Sequence, residues 1–314
     1  MSMRIAEGVW PTMVTPFTED NEIDYPALER AVEWYIGRGV DGLFAVCQSS
    51  EMFFLSLEER VQLAAFVKEK AGGRVPVIAS GHISDSLEDQ AEELQAIAAT
   101  GIDALVLLTN RLAAQDESDD VWLANLQKLL QRLPEDIPLG FYECPFPYKR
   151  LISPELLRWC AGTGRFLFLK DTSCDVESMK AKLEAVQGTG LNIYNANSAT
   201  LLETIRLGVT GYSGVMANFH PELYVWLMRN GAAQPERAEE LSNFLSIASL
   251  IERQLYPVNA KYHLMLEGIF NTLVSRTRNQ IEFTATYRLE VEQLQRLTQT
   301  AAERIRIGDS GHQA

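Results

Sequence analysis

The sequence predicts a (β/α)8 barrel with a helical extension at its C-terminal end. Short apolar runs alternate with longer amphipathic segments, and eight such pairs lie within residues 1–232. Parallel strands need a crossover connection, usually a helix, so this alternation predicts a parallel sheet. A closed barrel accommodates eight units better than an open doubly wound sheet, and no GxGxxG motif follows the first strand to favour that alternative.

The predicted strands are apolar with little alternation, as expected of parallel strands covered on both faces. They comprise residues 9–15, 42–48, 75–80, 104–109, 138–144, 166–171, 192–195 and 210–215. Gly-x-Asp triplets at 39–41 and 101–103 each end a helix and begin a strand. Glycine suits these positions because it readily takes the left-handed conformation that ends helices.

Helical segments separate the strands. Residues 25–38 and 86–100 place their apolar side chains on one stripe, which is typical of a helix that packs on a core. Ser56 with Glu59 forms a capping-box pattern, and Ser153 precedes a proline at the first helical position. These start signals agree with the apolar pattern.

Residues 233–314 are predicted to form the helical extension. Its helices are expected at 235–255, 260–270 and 283–305. No segment rich in proline, glycine or serine separates the extension from the barrel, so the two should pack together. The polar end at 308–314 is predicted to fray.

Composition and charge restrict the function classes. The chain has 314 residues, of which 46% are hydrophobic, and a net charge of −14 disfavours nucleic acid as a partner. No uncharged apolar stretch approaches the roughly 20 residues that cross a bilayer, and the first residues lack the apolar core of a signal peptide. We therefore expect a cytoplasmic protein whose four cysteines are reduced.

In a barrel enzyme the reacting groups lie at the carboxyl ends of the strands or in the loops just after them. This rule selects a short set of polar candidates. They are Thr12, Thr15, the loop 47–51, His82, Asn110, Arg111, Tyr142, Glu143, Lys170, Asp171, Asn195, Asn197 and Ser213.

Lys170 is the strongest candidate for chemistry. It follows four apolar residues at the end of the sixth predicted strand, where desolvation would lower its pKa and leave a neutral amine. A neutral amine can attack a carbonyl carbon, which is what Schiff-base catalysis requires. The alternative is an ion pair with Asp171 or Asp175 at the strand end.

Tyr142 ends the fifth predicted strand, so a parallel barrel would place it beside Lys170. A phenol within hydrogen-bond reach can carry protons to and from a bound carbonyl compound. The alternative is an aromatic side chain of the core or rim.

The histidines give little support for a metal site. His82, His220, His263 and His312 show neither an HExxH motif nor paired-ligand spacing. His82 and His220 both follow strands, and a hydrogen-bonded histidine at the rim is the favoured interpretation of each. Residues 211–214 are too short a signal to indicate a phosphate loop.

Several motifs, in chain order, match one known family. They are Thr15-Pro16-Phe17, the stretch 39–43, Leu57-x-Glu59-Arg60, the stretch 75–79, Tyr142-x-x-Pro145, Leu169-Lys170-Asp171 and the stretch 211–218. Over about residues 5 to 270 the chain resembles the dihydrodipicolinate synthase and N-acetylneuraminate lyase family of class I aldolases. The resemblance implies a (β/α)8 barrel, usually a homotetramer. It also implies that Lys170 forms a Schiff base with pyruvate or another 2-keto acid while Tyr142 shuttles protons.

The resemblance breaks in the loop that would hold the keto-acid carboxylate. The family's GTTGE sequence is Cys47-Gln48-Ser49-Ser50-Glu51 here, so the first threonine and both glycines are replaced. Ser49 keeps a hydroxyl, and free backbone N–H groups can still bind an anion.

The groups that hold a dicarboxylate in the synthases also differ. Their arginine aligns with Pro147, and their tyrosine after the fourth strand falls near Leu112, with Arg111 beside it. Synthesis of dihydrodipicolinate is therefore not expected. Arg111 or Lys149 is a candidate for binding a distal anionic group, and a place on the solvated rim is the alternative for both.

These observations lead to one hypothesis about function. We expect a Schiff-base lyase, aldolase or dehydratase for a 2-keto acid such as pyruvate or a 2-keto-3-deoxy sugar acid. No metal or organic cofactor is expected, because the imine itself stabilises the carbanion, and the chain should be a homo-oligomer, tetramer or dimer. A non-catalytic small-molecule-binding relative and a metal-dependent class II aldolase are the competing hypotheses.

The residues expected at the substrate besides Lys170 and Tyr142 come from four strand ends. Gln48, Ser49 and Ser50 would hold the C1 carboxylate, and Thr12 and Ser213 would line the pocket. Glu143 is expected to contact a sugar hydroxyl, with a salt bridge on the rim as the alternative.

Overall fold

The computed structural model describes residues 5–310, of which 306–310 are described by backbone only. Parallel strands form the centre of the described chain. They are β1 (Gly8–Val9), β2 (Leu43–Val46), β3 (Val77–Ala79), β4 (Ala104–Leu108), β5 (Leu139–Tyr142), β6 (Phe166–Asp171), β7 (Asn192–Asn195) and β8 (Gly211–Tyr212). Each strand from β2 to β7 pairs with the strand that follows it in the chain, and β8 also pairs with β1. The sheet closes where Thr12 bridges Phe44, so the predicted barrel is confirmed.

Eight helices alternate with the strands. They are α1 (Tyr25–Gly37), α2 (Leu57–Ala71), α3 (Leu87–Ala98), α4 (Asp119–Leu130), α5 (Pro154–Gly162), α6 (Val176–Val186), α7 (Leu201–Leu207) and α8 (Pro221–Asn230). The predicted capping box is present at α2: the Ser56 hydroxyl accepts from the Glu59 N–H at 3.1 Å, and the Glu59 carboxylate accepts from the Ser56 N–H at 2.8 Å. Ser153 caps α5 as predicted, and its proline occupies the first turn.

The first strand is much shorter than the predicted 9–15, because this segment changes partners as it closes the barrel. The Trp10 N–H donates to the Tyr212 carbonyl at 2.9 Å on one side. On the other side the Phe44 N–H donates to the Pro11 carbonyl at 3.0 Å. The eighth strand is likewise limited to two residues, since the chain then turns into the loops at the barrel mouth.

Aromatic side chains fill the barrel interior below the mouth. Phe168 stacks on Tyr194 with ring centroids 4.2 Å apart, and it contacts Trp10 and Phe44 edge-on at 5.7 and 6.1 Å. Side chains two residues apart on a strand point to the same face. Lys170 therefore shares the inward face of Phe168 and rises above this aromatic layer.

The segment after the barrel is helical, as predicted, with different boundaries. It contains α9 (Pro235–Ala248), a 3-10 turn (Ser249–Arg253), α10 (Val258–Leu266) and α11 (Ala285–Ser310). Helix α11 packs against α8, where the Thr298 hydroxyl hydrogen-bonds to His220 Nδ1 at 3.1 Å. Because α11 reaches Ser310, part of the end that was expected to fray is helical, and residues 311–314 lie outside the described residues.

Two expectations about the whole chain can be compared with the described residues. All four cysteines are free thiols, and three of them are buried. Between residues 5 and 310, no helix has the length and apolar character needed to cross a membrane.

Candidate active site

Lys170 ends β6 with its amine buried against aromatic rings. The residue is 3% exposed, and Nζ lies 4.4 Å from the centroid of the Tyr142 ring and 6.0 Å from that of Phe44. Within the described chain this amine forms no ion pair or hydrogen bond. The alternative of pairing with Asp171 or Asp175 is wrong, because Asp171 binds Lys182 and Asp175 caps α6.

The environment of Lys170 favours its neutral form. Burial lowers the pKa of Lys170 to about 8, although Cys47, Cys144 and Glu252 act in the opposite direction. A cation desolvated among aromatic rings is less stable than one in water, and the deprotonated amine is the nucleophilic form.

Tyr142 is the register partner of Lys170 on the neighbouring strand, as the sequence predicts. It is 4% exposed, and its hydroxyl lies 3.5 Å from Oε1 of Gln48. Burial raises the pKa of Tyr142 well above its usual value, so the phenol keeps its proton at neutral pH. It can therefore act as a proton donor beside the amine.

A cavity of about 330 Å³ opens at the carboxyl end of the barrel. Gln48, Ser49, Tyr142 and Tyr256 contribute polar groups to its wall. The volume is within the range of small-molecule sites, and polar groups converge on its buried side.

The loop after β2 contains the short 3-10 turn Gln48–Ser50. The Ser49 hydroxyl donates to Oγ1 of Thr12 at 3.2 Å, which brings two predicted residues together. The Ser50 hydroxyl instead donates to the Cys47 carbonyl at 2.7 Å and accepts from the Cys47 N–H at 2.8 Å. Ser50 therefore holds the shape of the turn, while Gln48 and Ser49 line the cavity.

Ser213 lies at the junction of β8 and β1 and not on the cavity wall described above. Its hydroxyl is completely buried and donates to the Trp10 carbonyl at 2.9 Å. That bond joins the two strands at which the barrel closes, and it occupies the hydroxyl that was expected to face substrate.

Glu143 lies outside the barrel wall, which corrects the expected contact with a substrate hydroxyl. Because Tyr142 points inward, the next side chain on the strand points outward to the helices. Lys182 of α6 lies 2.5 Å from both Glu143 and Asp171, and Glu143 also accepts from the Thr172 N–H at 3.0 Å. The salt bridge is in the interior, since the side chains of Lys182 and the two acids are at most 2% exposed. The alternative expectation, a salt bridge on the rim, is therefore wrong as well.

The titration of this buried cluster follows from its charges. Burial raises the pKa of Glu143 to about 7 against the opposing effect of Lys182. Burial alone would lower the pKa of Lys182, but Glu143 and Asp171 outweigh it and hold that pKa above its usual value. Lys182 therefore remains an ammonium that joins the two loops directly after Tyr142 and Lys170.

Glu51 connects the loop after β2 to the C-terminal segment. Its Oε1 accepts from Nζ of Lys261 at 2.6 Å. Its Oε2 accepts from the Ser275 hydroxyl at 2.8 Å, the Arg276 N–H at 2.6 Å and the Thr277 N–H at 2.8 Å. Burial lowers the pKa of Lys261 to about 8, with Glu51 acting against that shift. No local sequence pattern indicates this contact, because Glu51 and Lys261 lie more than 200 residues apart in the chain.

The two basic residues proposed for a distal anionic group are held elsewhere. Arg111 pairs with Asp85 at 2.8 Å, and Lys149 donates to the Thr172 carbonyl at 2.7 Å. Neither side chain lines the cavity. Lys149 is exposed, as the rim alternative expects, whereas Arg111 is largely buried, with its guanidinium carbon 5.5 Å from the ring centroid of Phe53.

Four residues of the cavity wall come from beyond the barrel and were missed. They are Tyr256, Pro257, Thr277 and Arg278. The rule that active groups follow strands cannot find them, because they lie between helices of the extension. The only local signal for these residues was that they fall in or next to the two gaps between the predicted helices 235–255, 260–270 and 283–305.

His82 and His220, which were expected at the rim, are both completely buried. His82 is buried, accepts from the Leu108 N–H at 2.6 Å and contacts Gln90 at 3.0 Å, and burial lowers its pKa to about 4. Burial also lowers the pKa of His220 to about 3. In residues 5–310 no group of three or more histidine, cysteine or acidic side chains has the arrangement of a metal site. The fourth histidine, His312, lies outside the described residues.

Comparison with known proteins gives relatives over most of the chain. A 4-hydroxy-tetrahydrodipicolinate synthase of Thermoanaerobacter sp. is 27% identical over 269 residues, which are 84% of this chain and 88% of the relative. The synthase of the same name from Pseudomonas aeruginosa is 26% identical over 269 residues, 83% of this chain and 90% of that protein.

Solved structures share the fold. A dihydrodipicolinate synthase from Bacillus anthracis superposes with a TM-score of 0.84 at 20% identity, covering 94% of this chain and 99% of its own. A chloride-inhibited dihydrodipicolinate synthase from Acinetobacter baumannii, solved with pyruvate, gives 0.83 at 24% identity, covering 93% and 98%. The profile of the dihydrodipicolinate synthetase family matches residues 6–296. The chain therefore belongs to this family, whose members are class I pyruvate-dependent aldolases and lyases.

Proposed function

We propose that this chain is a class I aldolase or lyase in which Lys170 forms a Schiff base with pyruvate or a related 2-keto acid. The observation that carries the proposal is the state of that amine. It is buried and unpaired within the described chain, its pKa is lowered to about 8, and it lies against Tyr142, which lines the cavity. A Schiff-base lysine needs this combination of neutrality and position.

The chemistry follows from the amine and the phenol. The neutral amine of Lys170 attacks the C2 carbonyl, and the resulting carbinolamine loses water to give a protonated imine. The imine accepts the electron pair released when the C3–C4 bond of a 4-hydroxy-2-keto acid breaks, which frees an aldehyde and leaves an enamine. Tyr142 donates its proton to the hydroxyl that leaves the carbinolamine as water, and the phenolate formed in this way takes the proton of the 4-hydroxyl. Tyr142 then returns that proton to C3, and water releases the 2-keto acid. Loss of a hydroxyl from the same imine is the dehydratase version of this chemistry.

The turn after β2 is proposed to hold the C1 carboxylate. Gln48 and the Ser49 hydroxyl line the cavity, and Thr12 positions that hydroxyl. The relative from Acinetobacter baumannii was solved with pyruvate, which supports a 2-keto acid as the first ligand to test. Pro147 offers no guanidinium at the position where the synthases have an arginine, so we propose a partner other than the substrate of dihydrodipicolinate synthesis.

Reductive trapping tests the proposal. The protein is incubated with pyruvate and sodium borohydride, and the modified peptide is mapped by mass spectrometry. We expect a stable adduct on Lys170 that is absent in Lys170→Ala and present in Lys128→Ala, which changes an exposed lysine on α4. No adduct with any of several 2-keto acids would favour the non-catalytic binding protein. Aldol cleavage that a chelator abolishes, without an adduct, would favour the class II mechanism.

We also propose a cytoplasmic homo-oligomer, a tetramer or a dimer. Family membership supports assembly, although one solved neighbour with a TM-score of 0.82 is described as a monomeric dihydrodipicolinate synthase variant. Light scattering of the purified chain distinguishes these states, and a mass of one chain at micromolar concentration would contradict the proposal.

A further inference from the structure

The outer part of the cavity is apolar and aromatic. Phe53 and Phe146 meet edge-on with ring centroids 4.8 Å apart, and Phe54 lies on the same wall. Phe54 is 51% exposed and Phe146 is 46% exposed. When an apolar ligand covers large apolar side chains at the mouth of a cavity, apolar surface is removed from water and binding is stabilised.

Glu51 and Thr277, which line the same cavity, already have hydrogen-bond partners. The Thr277 hydroxyl donates to Glu51 at 3.1 Å, and the two oxygens of Glu51 accept from Lys261 and from the Thr277 N–H. A polyhydroxylated aldehyde in this part of the cavity would have hydroxyls against phenyl rings and few free partners. Hydroxyls that lose water without gaining a partner weaken binding.

Arg278 supplies an available positive charge on the wall of the same cavity. It is exposed and lines the cavity, and within residues 5–310 its guanidinium forms no hydrogen bond or ion pair. Its backbone is fixed, since the Arg278 N–H donates to the Ser275 hydroxyl at 3.2 Å and Ser275 is held by Glu51. The neighbouring Arg276 differs, because it is paired with Glu59 at 2.7 Å.

We infer that the aldehyde half of the substrate is an aryl aldehyde with an anionic substituent, whose ring covers Phe53 and Phe146 and whose anion reaches Arg278. This inference rests on the proposed function. In the synthetic direction the enamine carbon of Lys170-bound pyruvate bonds to the aldehyde carbon, the aldehyde oxygen takes a proton from Tyr142, and hydrolysis of the imine releases a 4-hydroxy-2-keto acid. Pyruvate and aldehyde are thus joined with no oxidant or reductant. The 2-keto-3-deoxy sugar acid of the sequence analysis implies glyceraldehyde or another polyol aldehyde instead.

Aldehyde preference tests this inference on the full-length protein. Pyruvate consumption is measured with 2-carboxybenzaldehyde, benzaldehyde and D-glyceraldehyde as partners. We expect kcat/KM to be highest for 2-carboxybenzaldehyde and at least about tenfold lower for D-glyceraldehyde, since a charge-assisted contact to Arg278 and ring contact are both lost.

Variants separate the charge from the rings. Arg278→Gln should raise the KM for 2-carboxybenzaldehyde about tenfold and leave benzaldehyde unchanged. Arg158→Gln, at an exposed arginine on α5, is the matched control and should change neither. Phe146→Ser should raise the KM for both aryl aldehydes.

The outcomes distinguish the inference from the function on which it rests. A preference for D-glyceraldehyde, an equal effect of Arg278→Gln on charged and uncharged aldehydes, or a pyruvate adduct without turnover of any aryl aldehyde would overturn the inference alone. Absence of the pyruvate adduct would overturn the proposed function, and the inference with it.

Discussion

Nζ of Lys170 lies 4.4 Å from the centroid of the Tyr142 ring, and the two residues are register partners on β6 and β5. The ring face attracts a cation weakly, but it offers no hydrogen-bond acceptor to replace the water that burial removes. The net effect is a lowered pKa, which increases the fraction of Lys170 that is neutral near pH 7.

The rate of adduct formation should depend on the pKa of Lys170. Because the neutral amine reacts, and burial lowers this pKa to about 8, trapping with pyruvate and cyanoborohydride should accelerate about tenfold per pH unit below pH 8 and level off above it. N-acetyl-lysine, measured in parallel, should continue to accelerate to about pH 10. If the rate of adduct formation on the protein had the same pH dependence as that of N-acetyl-lysine, the nucleophile would not be a buried amine.

Tyr142→Phe should separate imine formation from turnover. The ring remains against Lys170, so the borohydride adduct should still form, while kcat should fall by roughly 10²–10⁴ because the proton carrier is lost. Tyr194→Phe is the control, since it removes a buried hydroxyl that donates to the Ala6 carbonyl before β1. Comparable losses of kcat in the two variants would show that Tyr142 acts only through packing.

Lys182→Met should destabilise the protein strongly. Glu143 and Asp171 would remain buried without the ammonium that lies 2.5 Å from each, and breaking a buried ion pair typically costs about 3–5 kcal/mol. Urea unfolding measures this loss. Lys180→Met, at an exposed position on the same helix, should change the free energy of unfolding by less than about 0.5 kcal/mol.

A compensated variant checks the cause of that loss. Adding Glu143→Gln and Asp171→Asn to Lys182→Met removes both buried charges and should restore part of the stability. If the triple variant is no more stable than Lys182→Met, lost packing and not unpaired charge is responsible.

Glu51→Gln should destabilise the protein more at pH 6 than at pH 8. Without the Glu51 carboxylate the pKa of Lys261 falls below its present value of about 8, so the folded variant prefers a neutral Lys261. At pH 6 Lys261 binds more protons in the unfolded variant than in the folded variant. The free energy of unfolding of the variant therefore rises with pH. Folded wild-type Lys261, with a pKa of about 8, is protonated at pH 6 and about half protonated at pH 8, so the stability of the wild type rises less with pH over this range. The difference between the two proteins should therefore shrink towards pH 8.

Glu58→Gln is the control for this experiment, because that carboxylate is exposed on α2. It should leave the free energy of unfolding nearly unchanged at both pH values. A loss in Glu51→Gln that does not depend on pH would mean that Lys261 does not titrate in this range.

The positions of Lys170 and Tyr142 could be predicted from the sequence, since each ends a local apolar run and parallel strands bring their carboxyl ends to one edge. Glu143 could have been placed correctly by the same reasoning. Strand alternation already puts Glu143 on the opposite face from Tyr142, but the sequence does not show that Lys182 contacts it there. The cavity wall at Tyr256 and Arg278 had no comparable local signal.

The sequence by itself determined which elements form, because helix and strand patterns depend on side chains a few residues apart. For the same reason the sequence determined the barrel and the positions of Tyr142 and Lys170 at neighbouring strand ends. Only the tertiary structure decided the outer wall of the cavity, which Arg278 and Phe53 both line although more than two hundred residues separate them in the chain. Contacts of that kind depend on how the extension packs on the barrel, and no short-range pattern encodes that packing.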